Sequence, residues 1–343
     1  MKFHSAALIS LLAISACATP LLPRNANQKA AKPAACSVKA PNASNNATKP
    51  VEAPKPVEAP TPATNGTAAG NATAVAAVLP DGRIAQGAVP EDFNVLASKF
   101  KSAVVKGDGL VFSDIVAFPD VGQSLFDVAT NTKAFSLSIN DSSIFTPQGG
   151  APDTLTRRAD LLPSIASTLS NIATTGKKTM HFSIQQDPTS PLNLTHDYQV
   201  AFLETADFAT HQFDVRVGKV VDAAAGSPGA DGTNIVVNGN SKNAAGVQTL
   251  FSTPFVGVQG FQNFALEMDF DQNTIQVFHS TENNPLVQVT EALPNDNTGN
   301  GEYHFAVLKN AVGGQQPPIA GAEAVVFGGI FMQDTSAEAV LLQ

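Results

Sequence analysis

Two short polar motifs stand in apolar, strand-like surroundings and carry the residue types that acid–base chemistry needs. The first is Arg157-Arg158-Ala159-Asp160-Leu161-Leu162-Pro163. The second is Asn193-Leu194-Thr195-His196-Asp197-Tyr198-Gln199, which runs on through Val200-Ala201-Phe202-Leu203-Glu204. Two carboxylates on rigid strands, each beside a base or an amide, are what hydrolysis of a glycosidic bond requires. One protonates the leaving oxygen and the other activates water or attacks the sugar. Asp160 and Asp197 are therefore the candidate catalytic pair. Arg158, Gln199, His211 and Tyr198 are the candidates for binding substrate or orienting the carboxyls. For Asp160 the bland alternative is an ion pair with Arg157 and Arg158 that fixes a strand end. Glu204, at the end of its strand, reads as an acceptor for backbone donors.

These motifs need strands to hold them. Alternating apolar residues predict strands over 133–139, 181–185, 198–204, 212–217, 303–308 and 325–332. The runs 264–270 and 274–278 flank Asp271-Gln272-Asn273, a hairpin pattern. One short helix is expected from Leu161 to Ala173. Many short strands with Gly, Asn, Asp and Pro between them imply an all-β antiparallel sandwich or jelly roll with a few short helices. Side chains at i and i+2 share a face. Strict alternation therefore sends Thr195, Asp197 and Gln199 one way and His196, Tyr198, Val200 and Phe202 the other. One face of a curved sheet would then be polar at its middle.

The ends of the chain speak to location. Lys2, the apolar run 6–14 and Ala16-Cys17-Ala18 form a secretory signal over residues 1–18. Residues 19–77 are rich in Ala, Pro, Thr and Asn, have no periodic apolar face, and read as a disordered linker. N-glycosylation sequons begin at Asn42, Asn46, Asn65 and Asn71, with two more at Asn140 and Asn193. Together these features favour an extracellular, fungal glycoprotein, with residues 78–343 as its folded domain. The only cysteines are Cys17 and Cys36, so the folded part has no disulfide or thiolate metal site. A net charge of −9 argues against nucleic acid as a partner. No His-x-x-x-His motif or dense acidic loop suggests a metal. The Gly226–Gly232 loop lacks the Lys of a phosphate loop, and no Gly-x-Ser-x-Gly elbow is present. The expectation is a monomer without cofactor or membrane insertion.

At these motifs the chain resembles glycoside hydrolase family 131, secreted fungal β-glucanases with a jelly-roll fold. The resemblance is carried by Val116-Ala117-Phe118-Pro119, Ser124-Leu125-Phe126-Asp127, Arg157 to Pro163 and Phe202-Leu203-Glu204-Thr205-Ala206-Asp207-Phe208. Asn240-Ser241-Lys242-Asn243, Gln248 to Phe255, Asn263 to Phe270 and Gly328 to Asp334 add to it, so that it covers about residues 80–336. It implies hydrolysis of β-1,3-, β-1,6- and β-1,4-linked glucans. It also implies Glu where this chain has Asp160 and Asp197, and His where it has Gln262. Shortening a carboxylate by one methylene moves it by more than an ångström, which can cost on the order of 100-fold in rate. The chain has no Trp and two Tyr, so sugar-stacking rings must come from Phe, Tyr198 or Tyr303. A non-hydrolytic glucan-binding or cell-wall protein on the same fold is the other reading.

Overall fold

The computed structural model describes residues 79–343, apart from 96–98, 102–104, 164–169, 222 and 257–258. The signal, the linker, both cysteines and the sequons at Asn42, Asn46, Asn65 and Asn71 lie outside the described residues.

Two antiparallel sheets stack face to face. The longer strands are β1 (Phe135–Ile139), β2 (Arg157–Leu161), β3 (Lys177–Gln186), β4 (Asp197–Glu204), β5 (His211–Gly218) and β6 (Asn234–Gly239). They continue as β7 (Thr249–Pro254), β8 (Gln262–Asp269), β9 (Thr274–Thr281), β10 (Glu302–Lys309) and β11 (Glu323–Asp334). One sheet has the order β7-β6-β5-β4-β10-β2. The other is built on β9-β8-β3-β11-β1, extended by two-residue strands at its edges. Among the described residues helix occurs in short turns such as Leu125–Val128 and Ser170–Ala173. The fold is the expected antiparallel β-sandwich.

The core lies between the sheets. Tyr198, Leu203, Phe213, Val215 and Phe305 of the first sheet meet Phe182, Ile184, Phe264, Val325 and Phe327 of the second. Phe305 bridges them, its ring 5.4 Å from that of Phe182 and 6.0 Å from that of Phe327. The expected β8–β9 hairpin forms because Asp269 Oδ1 accepts the N–H groups of Asp271 and Gln272, while Asn273 takes the left-handed conformation (φ 52°). The helix expected from Leu161 to Ala173 is not formed at its start. Leu161 ends β2 and Pro163 pairs with Phe100, so a hydrogen-bonded edge replaces the helix there.

Two irregularities in β4 decide what the open face of the first sheet presents. Between Gln199 and Ala201 the register against β5 slips by one residue. Val200 and Ala201 then both face the core, and Phe202 emerges on the open side with Ala306 and Leu308 of β10. A second slip sets Leu203 against Phe213 but Glu204 against His211. It lifts His211 out of the core-facing series His211, Phe213, Val215, Val217. Bulges of this kind re-aim side chains at working sites. They also correct the alternation expected for Phe202.

Candidate active site

At one end of the open face of the six-stranded sheet lies a cluster of ionisable groups drawn from four strands. Arg158 and Asp160 come from β2, His304 from β10, Glu204 from β4 and His211 from β5. Arg158 clasps Asp160 with two hydrogen bonds, one from Nε to Oδ1 at 3.1 Å and one from Nη2 to Oδ2. His304 Nδ1 lies 3.0 Å from Asp160 Oδ2, and its Nε2 lies 3.5 Å from Glu204 Oε2. His211 Nε2 stands 3.9 Å from Glu204 Oε1. One imidazole thus joins two carboxylates.

Phe202 fixes the rings. It is sandwiched between His211, 4.4 Å away, and His304, 4.6 Å away, with interplanar angles of 20° and 14°. Gly301 fixes the strands. Its φ is 139°, and a Cβ there would sit 1.9 Å from the backbone oxygen of Glu204. Only glycine lets the start of β10 approach the end of β4 so closely.

The electrostatics follow from burial and pairing. Asp160 is wholly buried, which acts to raise its carboxyl. The charge of Arg158 and the hydrogen bonds from His304 and Arg158 outweigh that and hold it below the ordinary aspartate range. Burial also acts to raise Glu204, and the nearby His211 imidazole with the charges of His304 and Arg158 holds it down. Burial acts to lower Arg158, but the Asp160 charge keeps its pKa raised. Exposure divides the pair. The Glu204 side chain is 20% exposed and that of Asp160 0%. Glu204 is therefore the carboxylate that an incoming ligand meets.

Several sequence candidates fall elsewhere. Asp197 sits at the opposite end of β4 from Glu204. From Asp160 it lies two strands across and about four residues along β10, roughly 16 Å between Cα atoms. Its Oδ2 accepts hydrogen bonds from Arg216 Nη1 (2.7 Å), Val221 N (3.1 Å) and Asn310 Nδ2 (3.2 Å), while its buried Oδ1 has no partner. Burial pushes its carboxyl up against the charge of Arg216. Arg216 also holds Asp214, which accepts from Asn238, so a polar ladder crosses β4, β5 and β6. Gln199 lies on this face, in register with Arg216 and Leu308.

Tyr198 is a correction. Its ring belongs to the core, and its hydroxyl donates 2.7 Å to Glu323 Oε2, whose other oxygen accepts from Lys309. It is not placed to bind a substrate on the open face. Tyr303 is likewise buried. His196 is buried, its Nδ1 3.2 Å from Thr195 Oγ1. Of the sequons within the described residues, Asn193 is exposed and Asn140 half-buried.

Sequence reasoning missed His304 and underrated Glu204. A signal for His304 was present, because it takes the alternate position of Tyr303-His304-Phe305-Ala306-Val307, where only the open face is available. Glu204 carried none, since without the bulge it would point into the core. Among the described residues, no cluster of three or more His, Cys, Asp or Glu could hold a metal ion. None of their helices is long and apolar enough to cross a membrane. A cavity of about 260 Å³ lined by Arg83, Asp92, Phe93, Lys99 and Phe100 contains no member of the cluster.

The open face of this β-sandwich joins carboxylates and imidazoles over an aromatic floor. Residues 78–337 match the glycoside hydrolase 131 catalytic N-terminal domain. The chain belongs to glycoside hydrolase family 131. Its structure is similar to a GH131 β-glucanase catalytic domain from Podospora anserina (TM-score 0.60, 18% identity, covering 78% of this chain and 98% of that one). It is also similar to the catalytic domain of the glycoside hydrolase family 131 protein from Coprinopsis cinerea (TM-score 0.57, 20% identity, covering 77% and 96%). No curated protein sequence matches the chain.

Proposed function

We propose that this glycoside hydrolase is a secreted enzyme that cleaves β-1,3/1,6- and/or β-1,4-glucans with the carboxylates of Asp160 and Glu204. The observation that carries this reading is the single imidazole of His304 lying between those carboxylates on the open face. His304 fills the space between the carboxyls, and a substrate reaches the pair from the exposed Glu204 side. Arg158 keeps Asp160 ionised, and because Asp160 is wholly buried its base role is exerted through the bordering His304. Glu204 is the exposed member. A sugar covering it would add desolvation, which raises a carboxyl toward the range a general acid needs. His304 holds the pair in register and His211 lines the approach. Asp197, distant and bound to Arg216, takes the supporting role of anchoring the far end of β4.

Reducing-sugar release from laminarin, pustulan and barley glucan tests this. The wild-type chain should release sugar from at least one of them, and Asp160→Asn and Glu204→Gln should each abolish release. Proton NMR of the first product distinguishes direct attack by water (inverted anomer) from a covalent intermediate (retained anomer). Full activity in both variants would refute the assignment. The N-terminal signal and the sequons support secretion as a glycoprotein. Expression in a eukaryotic secretory host should yield a chain lacking residues 1–18 that shifts in mass on deglycosylation. Retention of the intact N-terminus would refute that.

A further inference from the structure

We propose that Phe208 is a sugar-stacking platform at the rim of the site, seating one glucosyl ring of a β-glucan next to Glu204; this rests on the function proposed above. Phe208 lies in the hairpin of residues 205–210, which joins Glu204, the last residue of β4, to His211, the first of β5. Those two residues pair in register, so the hairpin tip stands directly beyond the exposed carboxylate.

Three observations single it out. Phe208 is 67% exposed, and among the described residues no other aromatic is comparably exposed. The chain has no Trp, and both of its Tyr are buried. Its backbone is left-handed, with φ 57°, a conformation that is a true outlier for a bulky residue and would suit glycine or asparagine.

The hairpin is rigid around it. Phe208 N donates 2.8 Å to Thr205 O, and Thr205 N donates 2.9 Å to Thr210 O. Thr205 Oγ1 donates 2.7 Å to Asp207 Oδ1, which accepts the Ala209 N–H at 3.1 Å. Thr210 Oγ1 ties the hairpin to Asn240 Oδ1 at 2.9 Å. A loop anchored at its buried ends, Thr205 and Thr210, therefore holds out a large apolar ring in a strained conformation. Strain that persists under such support is a pointer to function. A flat aromatic face offers large apolar area with few torsions to freeze, and it matches the C–H face of a β-linked glucose.

The test uses the full-length chain with Phe208→Ala, Phe208→Gly and Phe208→Trp. The readouts are steady-state kinetics on soluble β-glucan and thermal midpoint. Retention on insoluble β-1,3-glucan is measured in a Glu204→Gln background. Ala and Gly are expected to raise KM about tenfold and weaken retention, with kcat within twofold, and Trp to restore both. Phe208→Gly should also raise the thermal midpoint, because it relieves the left-handed strain. Loss of glucan affinity in a better-folded variant cannot come from structural damage. If the wild type cleaves glucan and the Ala and Gly variants keep KM and retention within twofold, Phe208 is no platform and the proposed function stands. If the wild type neither cleaves nor binds any β-glucan, both readings fall.

Discussion

Replacing Glu204 by Gln separates chemistry from folding more cleanly than any other change at the site. The substitution keeps size and shape and removes the charge. Its folded-state contacts are long, 3.5 Å to His304 and 3.9 Å to His211, and the side chain is one-fifth exposed. Partly solvated pairs at such distances contribute at most about 1 kcal/mol. For a domain of this size that corresponds to a loss of roughly 2–4 °C in thermal midpoint. The catalytic loss is of another order. A positioned general acid contributes about 10²–10⁴-fold, or ~3–5 kcal/mol of barrier. The expected result is a near-normal melting curve with kcat down at least 100-fold. Asp197→Asn is the counter-variant. Roughly 16 Å from Asp160 by strand geometry, it should keep kcat within tenfold while altering the melting curve through Arg216. Refutation has a definite form. If Asp197→Asn loses 100-fold in kcat while folded and Glu204→Gln stays within tenfold, the acid is Asp197, and the cluster around His304 is scaffolding.

Other consequences can be checked alongside it. His304→Gln should lower kcat more than it raises KM, because it leaves the substrate's contacts in place and frees two carboxylates from their shared partner; an unchanged kcat would exclude the positioning role. Tyr198→Phe should cost about 1 kcal/mol in chemical denaturation through the lost bond to Glu323, with KM unchanged. Gly301→Ala should destabilise by ~2–4 kcal/mol, since its Cβ would meet the Glu204 carbonyl at 1.9 Å, and a normal denaturation midpoint would contradict the packing. Asp160 should shape stability in acid. Its carboxyl is held below the ordinary 3.8 when folded, so the unfolded chain takes up its proton first. That stabilisation is complete above the unfolded value and is lost as pH falls through the folded one. Wild type should therefore weaken steeply below about pH 4, and Asp160→Asn should show a flatter decline over the same range.

Much of the framework was legible because it rests on period-two patterning. The apolar alternation of 303–308 and 325–332 survives as β10 and β11. The Asp-Gln-Asn turn survives because its side chains bond their own backbone. Arg158 and Asp160 share a face in the structure as they do in the pattern. The helix expected from Leu161 was a weaker inference, since that apolar run satisfies an edge strand equally well. β6 and β7 escaped notice because Asn234–Gly239 and Thr249–Pro254 mix polar and apolar residues without clear alternation.

The site itself was half hidden, and the reason is mechanical. Alternation is a rule about parity, and a one-residue bulge reverses the parity of everything beyond it. Upstream of Val200 the expectation holds, so Tyr198 faces the core and Asp197 and Gln199 face out. Downstream it inverts, so Phe202 and Glu204 leave the core, and a second slip carries His211 out with them. The strand therefore presents the Arg216-bound carboxylate of Asp197 where pattern reading looks for a catalytic one. It places the exposed carboxylate where pattern reading expects a buried side chain. Regular alternation would have delivered Ala201 and Leu203 to the open face, two apolar groups with nothing to contribute to proton transfer. The bulges forgo ladder hydrogen bonds and gain a stacked ring, a carboxylate and an imidazole at one end of one hairpin. That exchange is hard to account for by stability alone, and it concentrates the chemistry of this sheet where β4 and β5 meet.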